Sequence, residues 1–292
     1  MMVSEIGLGT WTYHGGADLL RKGFSAGALF VDAAESYGSE PIVGEALKGI
    51  RNSVFVATKI SPEHFHKADV IKAADASLLR LQTDHIDLYQ LHNPSYTVPI
   101  EETLGAVEDL VDDGKVRFVG VSNFNVAELK RAQGAMKKHR IVSNQVRYNL
   151  VDRTIEDGLL EYCAQNDIAV IAYSPLSRGL PFILDGDPHG VLARVSKEAG
   201  KTMAQVAINW CLRHSHVFAI PKGNSAGHVA ENCGASGWLL DAGHIRMLNE
   251  HILFRKRSKM ETLLRRLAPA TLKNMARSLV QKLPVRVKRN FN

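Results

Sequence analysis

Eight short runs rich in aliphatic and β-branched residues alternate along this chain with eight longer segments whose apolar residues recur at helical spacing, and this alternation restricts the fold more than any other feature. A strand, an amphipathic helix and another strand return each strand parallel to the last, so the resulting sheet is parallel and covered by helices. The strand runs are 6–9, 29–32, 54–58, 86–91, 116–121, 142–145, 169–173 and 217–220, and the helical runs are 18–26, 40–49, 68–81, 101–113, 126–138, 155–166, 190–213 and 226–236. Eight of each predict an α/β fold of the closed (β/α)8 TIM-barrel kind. A doubly wound sheet opens with G-x-G-x-x-G after its first strand, and Gly7-Leu8-Gly9-Thr10-Trp11-Thr12 breaks that pattern at its third glycine position.

Charge divides the chain in two. Residues 1–250 carry 24 Lys and Arg against 29 Asp and Glu, whereas residues 251–292 carry 12 against 1. We therefore expect a mildly acidic barrel over 1–250 and a basic C-terminal tail over 251–292, and no nucleic acid binding by the fold as a whole. A 292-residue chain that is 45% hydrophobic and 23% charged is outside the disordered and collagen-like classes. It has no apolar run of membrane-spanning length and no secretion signal at MMVSEIGLGTW, so a cytoplasmic location is expected. Cys163, Cys211 and Cys233 are odd in number and widely spaced, which reads as reduced thiols. No His, Asp or Glu cluster has metal-ligand spacing, and no metal is expected.

In a barrel of this kind, side chains at the C-terminal ends of strands reach the active face. Asp32 ends the second strand and Tyr37 follows five residues later; Lys59, His92 and Ser122-Asn123 end the next three, and Gln145, Tyr173 and Lys222 the last three. Seven consecutive strands thus end in hydrogen-bonding or ionisable groups, which one shared pocket explains. A phenol beside an ammonium is drawn toward phenolate, so Lys59 is expected to lower the Tyr37 pKa while Asp32 orients Lys59. With His92 on the substrate oxygen, such a cluster suits reduction of a carbonyl or oxidation of an alcohol. The protein has no hydride of its own, so this chemistry requires a nicotinamide.

The stretches V-D-A-A-E-S-Y-G at 31–38, T-K at 58–59, L-H-N-P at 91–94, G-V-S-N-F at 120–124, Y-S-P-L at 173–176 and I-P-K-G at 220–223 resemble the aldo-keto reductase superfamily, in order over about residues 5–236. The resemblance implies Asp32, Tyr37, Lys59 and His92 as catalytic groups. It implies that Ser122, Asn123 and Gln145 hold the nicotinamide carboxamide, that Tyr173 stacks on the ring, and that the loop Ser174, Pro175, Leu176, Ser177 to Gly179 covers the pyrophosphate. Pro221, Lys222, Gly223, Asn224 and Ser225 would meet the adenosine end, and Glu231 and Asn232 the adenine. The family usually grips the 2′-phosphate with a Lys, a following Ser or Thr, and an Arg six positions beyond the Lys; here these are Lys222, Gly223 and His228. Loss of a bidentate arginine weakens that grip. NADP(H) remains favoured, with NAD(H) as the second choice.

Trp11 and Tyr13 follow the first strand and are read as substrate-pocket residues, Trp210 and Trp238 as core, and His64 and His66 as surface. Six residues precede Gly7, fewer than the family's usual N-terminal hairpin requires, so a shortened or absent hairpin is expected, which would leave the barrel bottom exposed unless another element covers it. In the tail, Leu272, Met275, Ala276, Leu279, Val280 and Leu283 form an apolar stripe, preceded by a shorter one of Met260, Leu263, Leu264 and Leu267. Such basic amphipathic segments serve self-association, packing on the barrel, or an anionic membrane surface. The expected activity is an NAD(P)(H)-dependent interconversion of an aldehyde or ketone and its alcohol, with Tyr37 as general acid and base. Two alternatives stand beside it: a non-catalytic nucleotide-binding subunit resembling potassium-channel β subunits, and a sugar or polyol dehydrogenase.

Overall fold

The structure is a computed structural model that describes residues 3–255, so the stripes of the tail lie outside the described residues. Eight parallel strands lie in sequence order: β1 (Leu8–Gly9), β2 (Phe30–Asp32), β3 (Phe55–Ile60), β4 (Ile86–Leu91), β5 (Val116–Ser122), β6 (Ile141–Arg147), β7 (Ala169–Tyr173) and β8 (Val217–Ile220). Parallel pairing of Ile6 with Ala219 closes the ring, with Gly7 N donating to Ala219 O at 2.8 Å and Gly9 N to Pro221 O at 3.1 Å. Each predicted strand is present within about two residues of its expected ends.

Alternation along the strands sets the layers. Phe30, Phe55, Ala57, Leu88, Ile171 and Ile220 form an apolar plug inside the barrel, while their neighbours Val31, Val56 and Tyr89 face the helices in the outer core. The same inward rows then turn polar as they approach the C-terminal mouth: Phe30 leads to Asp32, Ala57 to Lys59, Leu88 to Gln90 and His92, and Ile171 to Tyr173. Gly120 is required where this polar layer packs tightly, because a Cβ there would collide with Ser143 Oγ and Gln90 Cγ.

The outer ring comprises α1 (Gly16–Ser25), α2 (Glu40–Leu47), α3 (Lys67–Leu81), α4 (Ile100–Asp112), α5 (Val126–Ala135), α6 (Leu159–Gln165), α7 (Leu180–Leu184), α8 (Val191–Ala199), α9 (Met203–Cys211), α10 (Ala226–Cys233) and α11 (Ala242–His251). The single helix expected over 190–213 is two. Gly200 stops α8 at φ +63°, and Thr202 with Gln205 forms a reciprocal capping box that starts α9. The short α7 and the later α11 were not expected from periodicity.

α11 is fixed to the barrel by Arg153, which is buried, donates to Leu248 O at 3.1 Å and lies over the rings of Trp210 and Phe254 at 4.7 and 4.2 Å. Trp210 is fully buried and donates to Asn249 Oδ1 at 2.9 Å; Trp238 is half-buried. Cys163 and Cys211 are buried free thiols and Cys233 is half-buried. Among the described residues no helix is long and apolar enough to cross a membrane.

Candidate active site

The four residues proposed for catalysis converge at the barrel mouth. In the pairing of β2 with β3, Asp32 lies opposite Ala57 and Lys59 stands two residues further along the same inward row, and the Lys59 ammonium, fully buried, donates to Asp32 Oδ2 at 2.6 Å and to Ala33 O at 2.7 Å. Residues Glu35–Tyr37 form a 3-10 turn that returns the tyrosine over the same lysine. Tyr37 Oη stands 3.5 Å from Lys59 Nζ and 3.4 Å from His92 Nε2, and its ring meets the imidazole edge-on at 5.4 Å. Glu35 secures that turn by accepting from Ser61 N at 2.5 Å and His64 Nδ1 at 3.0 Å.

Burial governs the protonation of this cluster. It lowers the Lys59 pKa, against the opposing pull of Asp32. It raises the Tyr37 pKa well above the ordinary phenol value, with Asp32 and Tyr173 adding in the same direction. This corrects the sequence-based expectation that Lys59 lowers it: the ammonium is committed to Asp32 and Ala33, and its hydrogen bond to the phenol is the longest of the three. His92 is held neutral, its pKa pushed down to about 3 by burial first and then by Lys59.

The His92 shift carries a stability prediction. Unfolded, an imidazole titrates near 6.5, so between 6.5 and about 3 the unfolded chain binds the extra proton and stability falls as pH falls. Between pH 7 and pH 5 the protein should therefore lose about 2 kcal/mol more than His92→Gln, measured by urea unfolding. Equal losses would mean that His92 protonates in place.

Two residues of this layer were not identified from sequence. Gln90 is fully buried, donates to Asp32 Oδ1 at 3.4 Å and accepts from Gln145 Nε2 at 3.4 Å. Thr10 donates to Asp32 O at 2.8 Å and shares a 2.7 Å hydrogen bond with Ser39. Gln145 itself donates to Asp32 Oδ1 at 2.6 Å, so its amide nitrogen orients the carboxylate that Lys59 uses.

Beside this cluster, Ser122 Oγ donates to Gln145 O at 2.9 Å, and Asn123, in the left-handed region at φ +65°, donates to His92 O at 3.2 Å and accepts from Tyr173 Oη at 3.0 Å. Left-handed backbone recurs around the mouth, at Thr12, Ser174 and Ser177 among non-glycines and at Gly179. Such conformations are costly and cluster where loops are shaped for a ligand. In that loop Pro175 is buried and Leu176 packs partly on the core.

Among the residues expected to meet the adenosine end, Pro221 is buried, Asn232 donates to Lys222 O at 3.4 Å, and Ser225 caps α10 by accepting from His228 N at 3.2 Å. Gly223 lies against Val229, where a Cβ would meet Cγ2 at 2.8 Å; His228 and Asn224 are exposed and Glu231 is half-buried. Lys222 donates to Thr12 Oγ1 at 2.7 Å and Thr12 O at 3.2 Å, both neutral acceptors. An ammonium so placed, with no carboxylate on it among the described residues, fits a phosphate. Trp11 is exposed on the same loop, whereas Tyr13 is buried beside Leu19 with its hydroxyl on Gly16 O at 2.9 Å, a core placement rather than a pocket lining.

The sequence profile of the aldo/keto reductase family matches residues 5–253. A methylglyoxal reductase of Escherichia coli (strain K12) is 35% identical over 255 residues, covering 84% of this chain and 89% of that protein. Among solved structures, an aldo/keto reductase from Klebsiella pneumoniae in complex with NADP and acetate superposes with a TM-score of 0.80 at 35% identity, covering 88% of this chain and 94% of that one. An aldo-keto reductase from the same organism in complex with NADPH gives a TM-score of 0.80 at 35% identity, covering 87% and 93%.

Proposed function

This chain belongs to the aldo/keto reductase family, and from that premise we propose that it is an NADP(H)-dependent oxidoreductase that reduces a small aldehyde or ketone to its alcohol with Tyr37 as the proton donor. The observation that carries the proposal is the position of Tyr37 Oη within 3.5 Å of both the Lys59 ammonium and the His92 imidazole.

Bound nicotinamide supplies a hydride to the carbonyl carbon. Everything else falls to the side chains. The raised pKa of Tyr37 keeps its proton in place at neutral pH, ready for donation to the substrate oxygen. As the proton leaves, the phenolate develops beside a fixed ammonium, and Lys59 stabilises it without reorganising because Asp32 and Ala33 already hold it. Gln90 and Gln145 in turn hold Asp32. His92, neutral and against the phenol, orients the carbonyl oxygen without competing as a cationic acid.

Ser122, Asn123, Gln145 and Tyr173 would hold the nicotinamide, the Ser174 to Gly179 loop the pyrophosphate, and Lys222 the 2′-phosphate. The uncompensated ammonium of Lys222 favours NADP(H) over NAD(H), and the NADP-bound and NADPH-bound relatives agree with that choice. The methylglyoxal reductase among the relatives supports a small carbonyl compound as substrate.

Purified protein mixed with NADPH and a panel of small aldehydes, methylglyoxal included, should consume the nicotinamide absorbance faster than with NADH. Tight nucleotide binding with no turnover on any member would favour the regulatory-subunit reading instead.

A further inference from the structure

Arg147 lies at the mouth with no role in the chemistry described above. It stands two residues beyond Gln145 on β6, so it shares that strand's inward row one step nearer the mouth, and it pairs in register with Tyr173 of β7. Its guanidinium carbon is 5.7 Å from the centre of the Tyr173 ring. Its Nε is buried and has no hydrogen-bond partner.

Among the described residues, the other arginines that lie on aromatic rings are paired with a carboxylate or hydrogen-bonded to main-chain carbonyls. Arg213 lies over Trp210 and is paired with Glu156 at 2.7 Å, while Arg153 is bonded to a set of main-chain carbonyls. Among the described residues no carboxylate forms an ion pair with Arg147. Among the described residues, a positive charge that no carboxylate offsets is thus held beside the ring proposed to stack on the nicotinamide.

The two redox forms of that nicotinamide differ by one positive charge on the ring: the oxidised form is a cation, the reduced form is neutral. A nearby cation repels the former and leaves the latter almost untouched. We infer that Arg147, acting through Tyr173, is a positioning residue that makes the site hold the reduced nucleotide more tightly than the oxidised one, which favours carbonyl reduction followed by release of the oxidised nucleotide. The overall equilibrium of the reaction is unchanged; what shifts is the ratio of the two bound forms, and with it the potential of the bound couple. The inference rests on the reading above that Tyr173 meets the nicotinamide.

Calorimetric titration of wild type, Arg147→Met and Arg147→Lys with NADPH and with NADP+ tests it. Removing the charge should lower the ratio of the NADP+ and NADPH dissociation constants about fivefold, mainly through tighter NADP+ binding, as expected for one charge near a half-exposed site. Arg147→Lys should stay within about twofold of wild type. A merely structural role would weaken both nucleotides together and leave the ratio unchanged, and that result would overturn the inference. Failure of the wild-type protein to bind either nucleotide would overturn the cofactor reading itself, so the two failures are distinct. If Arg147→Met does not fold, Arg147→Gln is titrated under the same criterion.

Discussion

Tyr37→Phe should lower kcat by about 10³-fold or more with every carbonyl substrate, while NADPH binding stays within about twofold of wild type. The substitution deletes one oxygen. His92 loses its 3.4 Å contact and Lys59 its 3.5 Å contact, but Lys59 keeps Asp32 and Ala33, and its ammonium remains over the ring, 4.7 Å from the centroid in the wild type. No charge is stranded, so the fold should survive. What disappears is the one hydroxyl placed between the ammonium and the imidazole. Retention of more than a few per cent of the wild-type rate would remove Tyr37 from its role and shift the proton to solvent or His92.

Lys59→Met should cost both stability and rate. The ammonium and Asp32 are almost wholly enclosed, and removing one partner leaves the carboxylate, among the described residues, with the two glutamine amides, Gln145 at 2.6 Å and Gln90 at 3.4 Å. Breaking a buried pair from one side costs about 3–5 kcal/mol, because the desolvation of the remaining charge is no longer offset. Urea unfolding should register a loss of that size. The double variant Asp32→Asn, Lys59→Met removes both charges and should recover several kcal/mol of it, while kcat remains depressed by about 10²-fold or more, since nothing is left to stabilise the phenolate. Recovery of stability together with activity would mean that the pair serves only the fold.

The barrel was legible because each strand is a short apolar run and each connection a helix-period pattern, and the family profile spans the same residues. Asp32, Lys59 and His92 were legible for a related reason: polar residues at strand ends stand out against apolar runs. Gln90 stands two positions before His92 on the same inward face, and reading the alternation backwards from each strand end would have found it. The division of 190–213 was also written in the sequence, in Gly200 and in Thr202 with Gln205, but continuous apolar periodicity on either side obscured it.

The direction of the Tyr37 shift was a different matter. Residue types show that an ammonium is near a phenol; they do not show that the ammonium is taken up by a carboxylate and a carbonyl while burial acts on the phenol. Tyr13 illustrates the same limit, since position after the first strand is shared by an exposed Trp11 and a buried tyrosine, and only packing against Leu19 separates them.

Direct hydride delivery to a carbonyl carbon in this site is read out by running the reaction with NADPH deuterated at the transferable position of the nicotinamide and analysing the alcohol by mass spectrometry. One deuterium is expected on the carbinol carbon with the wild type, and at equal time about a thousandfold less of the labelled alcohol with Tyr37→Phe. Alcohol formed without deuterium on that carbon, or labelled alcohol formed at the wild-type rate by the phenylalanine variant, would contradict that expectation.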